Sequence, residues 1–348
     1  MTAHIARSAR RQAGREILLA HGSGGRDMHN LVEGVILPLL TNPTLASLDD
    51  QAIVNIGGAR LAFTTDSFVV DPLFFPGGDI GLLAVHGTIN DLAMGGAKPL
   101  YLSLALILEE GFPMEALERV LRSVRAAADA SGAQVVTGDT KVVHRGSADK
   151  LFINTAGIGV VTPGEHPTGG GARPGDRVLL SGTLGDHGMA ILSCREGFEF
   201  GSPIASDTAG LWPLVAAMQA AAPGAVHALR DPTRGGLATT LNEIATRSGA
   251  GIRLREEAIP VRLPVQSACE LLGLDPLYVA NEGKLVAFVA PQAADAALAA
   301  LRGHALGREA SIIGTVVEDP QARVILETTV GGSRIVDMLS GDPLPRIC

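Results

Sequence analysis

The stretch TPGEHPTGGGARPGD, residues 162–176, holds five glycines and three prolines and shows no repeat of apolar positions. A segment of that kind continues neither a helix nor an interior strand, so it predicts a connector between two folded halves. On its N-terminal side LAFTTDSFVV (61–70), LYLSLALIL (100–108), AQVVTGDT (133–140) and LFINTAGIGVV (151–161) are rich in β-formers and bounded by turn residues, which predicts strands. Between them PMEALERVLRSVRAAADASG (113–132) places Leu117, Val120, Leu121 and Val124 at helical spacing, with Pro113 at the start and Gly132 as the stop. On the C-terminal side RVLLSG, LVAFVA, SIIGTVV and RVIL predict strands, and GDHGMAILSCREG and GGLATTLNEIATRSG predict helices, the second with Leu237, Leu241 and Ile244 on one face. Strands and helices mix without strict alternation. The expected architecture is two α+β (mixed α/β) domains over 17–165 and 166–340, preceded by an extension over 1–16 and followed by a tail over 341–348.

Composition excludes several classes. The 348 residues carry 28 basic and 36 acidic side chains, a net charge of −8, which argues against a nucleic-acid footprint. Aromatics make up 3%, so stacking platforms for bases are not indicated. The Arg-rich start MTAHIARSARRQAGR has no apolar signal-peptide core behind it and is expected to be a disordered basic extension. No apolar run approaches a membrane span, and a cytoplasmic location is expected. The three cysteines, Cys194, Cys269 and Cys348, are far apart, which excludes a disulfide framework or a Cys-rich zinc site. Cys194 and Cys269 sit among apolar helix-like residues and are expected to be buried and inert. Cys348 has no such neighbours.

Short acidic or glycine-rich pieces punctuate the strand ends: HGSGG (21–25), LDD (48–50), TTDS (64–67), NDLAMGG (90–96), GDTK (138–141), RDPTRGG (230–236) and NEGK (281–284). No Walker A loop is present, and no G-x-G-x-x-G opens a helix. Each piece alone is an ordinary turn former. Together they offer Asp50, Asp66, Asp91 and Asp231 at loops between apolar segments, next to glycines whose backbone can approach phosphate oxygens. Magnesium prefers a few carboxylates plus substrate phosphates, so the set suits Mg-ATP held without a basic cradle. His21, His86, His144 and His187 lie near these pieces without metal-ligand spacing and are expected to be ordinary histidines, His21 alone being a candidate contact to ATP.

HGSGG, TDSFVVDPLFFPGGDIG, NDLAMGGAKPLYLSLALILEEGF, TGDTKVV, RDPTRGGLATTLNEIA, LGLDPLYVANEGKLV and the final PRIC closely resemble the HypE family of hydrogenase maturation factors, from about residue 17 to the end. The wider superfamily, with aminoimidazole ribonucleotide synthetase and selenophosphate synthetase, shares the fold but not the tail. The resemblance implies a homodimer whose N-terminal domains share a β-barrel, with ATP bound near the subunit interface. It implies a carbamoyl group received on the C-terminal cysteine from the carbamoyltransferase HypF and dehydrated with ATP to a thiocyanate. The cyano group then passes to iron on a HypC–HypD complex, supplying a cyanide ligand of [NiFe]-hydrogenase.

Carried over by motif, Cys348 is the acceptor thiol, and Asp50, Asp66, Asp91 and Asp231 hold Mg2+ and ATP. Asp139, His21, Gly24 and Gly25 are further ATP-binding candidates, and Lys141 and Glu282 form the pair that removes protons from the carbamoyl nitrogen, in an order left open. Lys141 could equally orient the carbamoyl oxygen or steady the transferring phosphate, and a plain surface salt bridge between Lys141 and Glu282 is the ordinary alternative.

A tethered substrate must visit several sites, so its sulfur belongs on a movable arm. Pro343 and Pro345 favour extended backbone, and at about 3.1 Å per residue an eight-residue tail reaches ~25 Å. A terminal carboxylate raises the thiol pKa, and Arg346 or a basic group of a partner is the expected counterweight. Two other readings stay open: a relative acting on free small molecules, for which a terminal thiol has no use, and a non-catalytic scaffold that binds ATP.

Overall fold

The computed structural model describes residues 16–165, 167–198, 203–341, 344 and 346–348. The expected basic extension, apart from Glu16, and the extended backbone expected at Pro343 and Pro345 lie outside the described residues. A first sheet is built from β1 (Ala52–Ile56), β2 (Ala59–Phe68), β5 (Ala97–Glu109), β6 (Gln134–Val143) and β7 (Leu151–Val161), in the order β1-β2-β7-β5-β6. A small hairpin, β3 (Phe74–Phe75) and β4 (Gly78–Asp79), stands apart from it. β7 buries every second residue, the period that a strand with one covered face requires. β5 and β6 are parallel and are joined by helix α2 (Met114–Ser131), while the other pairs in the sheet are antiparallel. α2 buries Val120 and Val124 and ends at Gly132, whose φ of 70° suits a residue without Cβ. Leu121, expected on the buried face, is 37% exposed.

α1 (Ile80–Met94) precedes β5 and is invisible to periodicity for a physical reason. Nearly all its residues are buried, so no polar face marks one side. Asp79 caps it, its carboxylate accepting from the backbone of Gly81 at 2.8 Å and Leu82 at 3.1 Å.

The second sheet contains β8 (Arg177–Leu180), β9 (Val226–Arg230), β10 (Gly251–Arg255), β11 (Val286–Val289), β12 (Ser311–Val317), β13 (Val324–Glu327) and β14 (Ser333–Ile335). Their order is β14-β13-β10-β12-β8-β11-β9. The helices of this half are α3 (Asp186–Glu196), α4 (Trp212–Ala221), α5 (Gly236–Ser248), α6 (Leu263–Leu272) and α7 (Ala294–Arg302). β11 is buried along its whole length, as its unbroken VAFV predicts for a strand covered on both faces.

The connector is packed onto its surroundings. Gly169 N–H donates to Asp49 at 2.8 Å, and the buried Glu165 accepts from the Gly224 backbone at 3.0 Å. Cys194 departs from expectation: it lies on the outward face of α3 and is exposed, because only the first turns of that helix are covered. Cys269 is buried, and burial pushes its thiol up to about 11. No helix among the described residues is long and apolar enough to cross a membrane.

Candidate active site

Asp50, Asp66, Asp91, Asp231, Glu282 and Cys348 line one cavity of about 250 Å³ between the two halves. Only Asp50 and Asp231 stand in loops, before β1 and after β9; Asp66 belongs to β2 and Asp91 to the last turn of α1. Regular elements therefore hold half the acidic set, which restricts its freedom more than loops would. GDTK also lies within a strand, β6.

Asp50, Asp91 and Asp231 can bring one carboxylate oxygen each to within 4.8 Å of the others, close enough to share a cation. Asp66 borders the same space without joining that trio. The Thr64 hydroxyl lies 2.7 Å from the Asp50 carbonyl oxygen and 2.9 Å from Asp91 Oδ2. One hydroxyl hydrogen serves one acceptor, so both contacts are satisfied when Asp91 itself carries a proton. The electrostatics agree. Burial, reinforced by Asp231, Asp50 and Asp66, raises Asp91 well above the ordinary carboxylate range. Burial lifts Asp231 to about 8 against the pull of Arg230, and Asp50 to about 6 even though Arg230 Nε lies 2.8 Å away. Too many carboxylates face too few cations, which is the condition a divalent metal relieves.

Glu282 is 4% exposed, and its Oε1 is buried without a hydrogen-bond partner. Burial, then Asp231, Asp66 and Asp207, raises its pKa well above the usual value. The backbone around it is held tightly. Asp207 accepts from Glu282 N–H at 3.1 Å, from Gly283 N–H at 3.2 Å and from Lys284 Nζ at 2.8 Å. A Cβ on Gly283 would stand 1.8 Å from the Asp207 carbonyl oxygen, so glycine alone fits there.

The tail is docked. Val69 N–H donates to a main-chain oxygen of Cys348 at 2.9 Å, and Arg195 Nη2 donates to the Arg346 carbonyl at 3.0 Å. Ile347 is 4% exposed within the core that contains Phe68, Ile80 and Leu83, a burial that contributes roughly 1.5–3 kcal/mol. Arg346 turns at φ 50°, a left-handed conformation costing roughly 1–2 kcal/mol for an L-residue, so contacts hold the docked form against local strain.

Arg346 is not the counterweight to the thiol. It pairs with Asp149 and donates to the Val69 carbonyl at 3.0 Å. The cation facing Cys348 is Arg234, a residue of RDPTRGG for which the motif by itself suggests no role. Burial pushes the thiol up to about 12, Arg234 opposes that rise, and Glu282 and Asp66 add to it. Arg234 also donates to the Gly22 carbonyl at 3.0 Å, fastening HGSGG over the cavity. At Gly24, with φ 78°, a Cβ would collide with Arg234 at 2.5 Å.

The remaining candidates stand apart. His21 accepts from Leu18 N–H through Nδ1 at 2.9 Å, and Gly25 packs on the Leu339 carbonyl; neither lines the cavity. Lys141 and Asp139 bind each other on exposed β6, Nζ to Oδ2 at 2.5 Å. The alternative salt bridge of Lys141 with Glu282 does not form, since one is exposed and the other buried.

The two halves thus meet at a carboxylate-lined cavity. The AIR synthase related protein N-terminal domain matches residues 48–161 and its C-terminal domain matches 173–327. The chain is 58% identical over 330 residues to carbamoyl dehydratase HypE of Azotobacter vinelandii, covering 95% of this chain and 96% of that protein. It belongs to the carbamoyl dehydratase HypE family. Among solved structures it resembles a HypE in a HypE–HypF complex (TM-score 0.85, 48% identity, 89% of this chain and 99% of that one). It also resembles the hydrogenase maturation protein HypE in complex with ATP (TM-score 0.81, 51% identity, 96% of this chain and 100% of that one).

Proposed function

We propose that this protein uses ATP to dehydrate an S-carbamoyl group on Cys348 to S-cyanate, supplying the cyanide ligand of a [NiFe]-hydrogenase. The observation that carries this reading is the shared cavity: the sulfur, an unpartnered buried carboxylate on Glu282 and the acidic cluster face the same small space. The carbamoyl oxygen attacks the γ-phosphoryl of ATP, forming an O–P bond and releasing ADP. The carbon–oxygen bond then breaks, phosphate leaves with that oxygen, and both N–H protons are lost as S–C≡N forms. Glu282 Oε1 accepts one of those protons, its neighbours having raised its affinity for it. Arg234 steadies negative charge beside the sulfur.

Mg2+ at Asp50, Asp91 and Asp231, with Asp66 beside it, would neutralise phosphate charge during transfer. HypF donates the carbamoyl group and a HypC–HypD complex receives the cyano group, so the docked tail must also undock. Intact-mass analysis with HypF and ATP tests the whole sequence of events. The expected product is a carbamoyl adduct on the peptide ending in Cys348, followed by an adduct lighter by one water. Carbamoylated protein that is stable to ATP would rule the reaction out.

The acidic cluster carries a pH signature. Asp50 and Asp231 have folded-state pKa values above the ordinary range, so their contribution to stability is complete near pH 4 and is lost as pH rises through about 6 and about 8. Metal-free protein should therefore lose melting temperature, on the order of 5 °C, between those limits. Mg2+ with a non-hydrolysable ATP analogue should restore it more at high pH than at low pH. Asp231→Asn should remove the part of the loss that extends towards pH 8 and much of the restoration. Melting curves for this variant that parallel the unsubstituted protein at every pH would refute the assignment.

The chain is further proposed to act as a homodimer joined along β6 into a shared barrel. β6 is an edge strand, with Val136 57% exposed and Val142 67% exposed, an edge that asks for cover. Pairing there would present Lys141 and Asp139 at the subunit boundary, where a second copy's ATP could meet them. Light scattering should show a dimer that Val136→Lys converts to monomer. A monomeric unsubstituted protein that remains fully active would exclude this arrangement.

A further inference from the structure

His187 is the second residue of α3 and is fully buried, with its ring set edge-on to Phe75 at 5.7 Å between centroids. Nε2 lies 2.8 Å from the Ile347 carbonyl oxygen, and Nδ1 lies 2.8 Å from Ser206 Oγ. A carbonyl can only accept, and burial depresses the ring's pKa, so the ring is neutral with its hydrogen on Nε2. Nδ1 then accepts from the Ser206 hydroxyl, whose oxygen in turn accepts from Thr208 N–H at 3.1 Å. The residue between these two, Asp207, holds the backbone of Glu282 and Gly283. The peptide bearing the reactive sulfur and the backbone bearing the base thus hang on adjacent residues of one segment.

We propose that His187, braced by Ser206, is the positioning residue that latches the tail, holding the Cys348 sulfur in register with Glu282. It is not a catalytic residue, because its contact is to the peptide before the cysteine. The latch engages when Ile347 enters the core and opens when the Nε2–H bond is given up. A neutral histidine suits this use, since the one hydrogen bond it donates can be exchanged without exposing a charge. The importance of the latch for catalysis rests on the function proposed above, but its existence can be tested without that function.

The three thiols make the test internal. Cys194 is exposed and reports reagent, Cys269 is buried and reports global opening, and Cys348 reports the tail. Alkylation of each by iodoacetamide is followed by mass spectrometry on the full-length protein. Release of the tail both uncovers the sulfur and removes the burial that suppresses its thiolate. In His187→Phe, alkylation of Cys348 should accelerate about tenfold, the loss of one buried hydrogen bond, with Cys194 and Cys269 unchanged. His187→Gln places an amide N–H where Nε2–H stood and should restore the slow rate, a rescue that a purely space-filling role would not produce. An unchanged Cys348 rate in His187→Phe overturns the proposal, and so does a Gln variant as fast as Phe. Should His187→Phe also expose Cys269, Ser206→Ala decides: it removes the brace from Nδ1 and should accelerate Cys348 severalfold. Equality with the unsubstituted protein there would overturn the latch.

Discussion

Cys348→Ala should abolish the reaction outright: no carbamoyl adduct, no cyano adduct, and no ATP turnover stimulated by the carbamoyl-transferring partner. The expectation follows from the chemistry proposed above, in which the carbamoyl group is carried as a bond to Sγ and alanine offers no atom to hold it. The substitution removes the sulfur of a partly exposed terminal residue at the edge of a core that Ile347 still fills, so folding should survive. ATP binding should survive as well, since the acidic cluster does not depend on the sulfur. Loss of turnover with retained nucleotide binding would therefore point to the thiol itself. Cysteines 194 and 269 provide the control, because their alanine variants should behave as the unsubstituted protein does. An alanine variant at 348 that still yields cyanide on the acceptor iron would show that the group travels on another atom.

Glu282→Gln should stop the reaction halfway. The variant should accept the carbamoyl group at the normal rate and then accumulate it, with dehydration slowed by about 10²–10⁴, the usual contribution of a positioned base. Gln is the same size and removes an ionisable group whose charged form is disfavoured by burial and by Asp231 and Asp66, so the melting temperature should not fall. That separates lost chemistry from lost structure. In the unsubstituted protein the dehydration rate should rise with pH above the ordinary range for Glu, about 4.3, because the base works only when ionised and its surroundings delay ionisation. Single-turnover mass analysis across pH checks both statements. A Gln variant within threefold of the normal rate would remove Glu282 from the role.

Much of this site is legible in the residues themselves. The seven acidic and glycine-rich pieces bring carboxylates and backbone N–H groups, and Asp50, Asp66, Asp91, Asp231, Glu282 and Cys348 do line one cavity, although Arg230 and Arg234 line it too, where no basic cradle is expected. Those pieces are local, and their chemistry follows from residue type. Arg234 escapes such a reading although it stands in RDPTRGG, because a lone arginine near an aspartate looks like its neighbour's partner. Its side chain instead reaches the loop at Gly22 and faces the tail. α1 escapes it because near-complete burial erases the polar face by which a helix is recognised. Asp91, expected in a loop, sits on that helix for the same reason.

The sequence by itself determined strands β2, β5 to β8 and β11 to β13, the amphipathic helix α2, the inventory of carboxylates and the isolated thiol, since each depends on neighbours a few residues away. Tertiary structure alone decided that Arg234 rather than Arg346 faces the sulfur, that His187 reaches a carbonyl 160 positions distant, and that Lys141 stays outside the cavity. The reason is that burial, like-charge crowding and hydrogen-bond choice are properties of the space between elements. No spacing along the chain encodes how two sheets and a tail will close around that space.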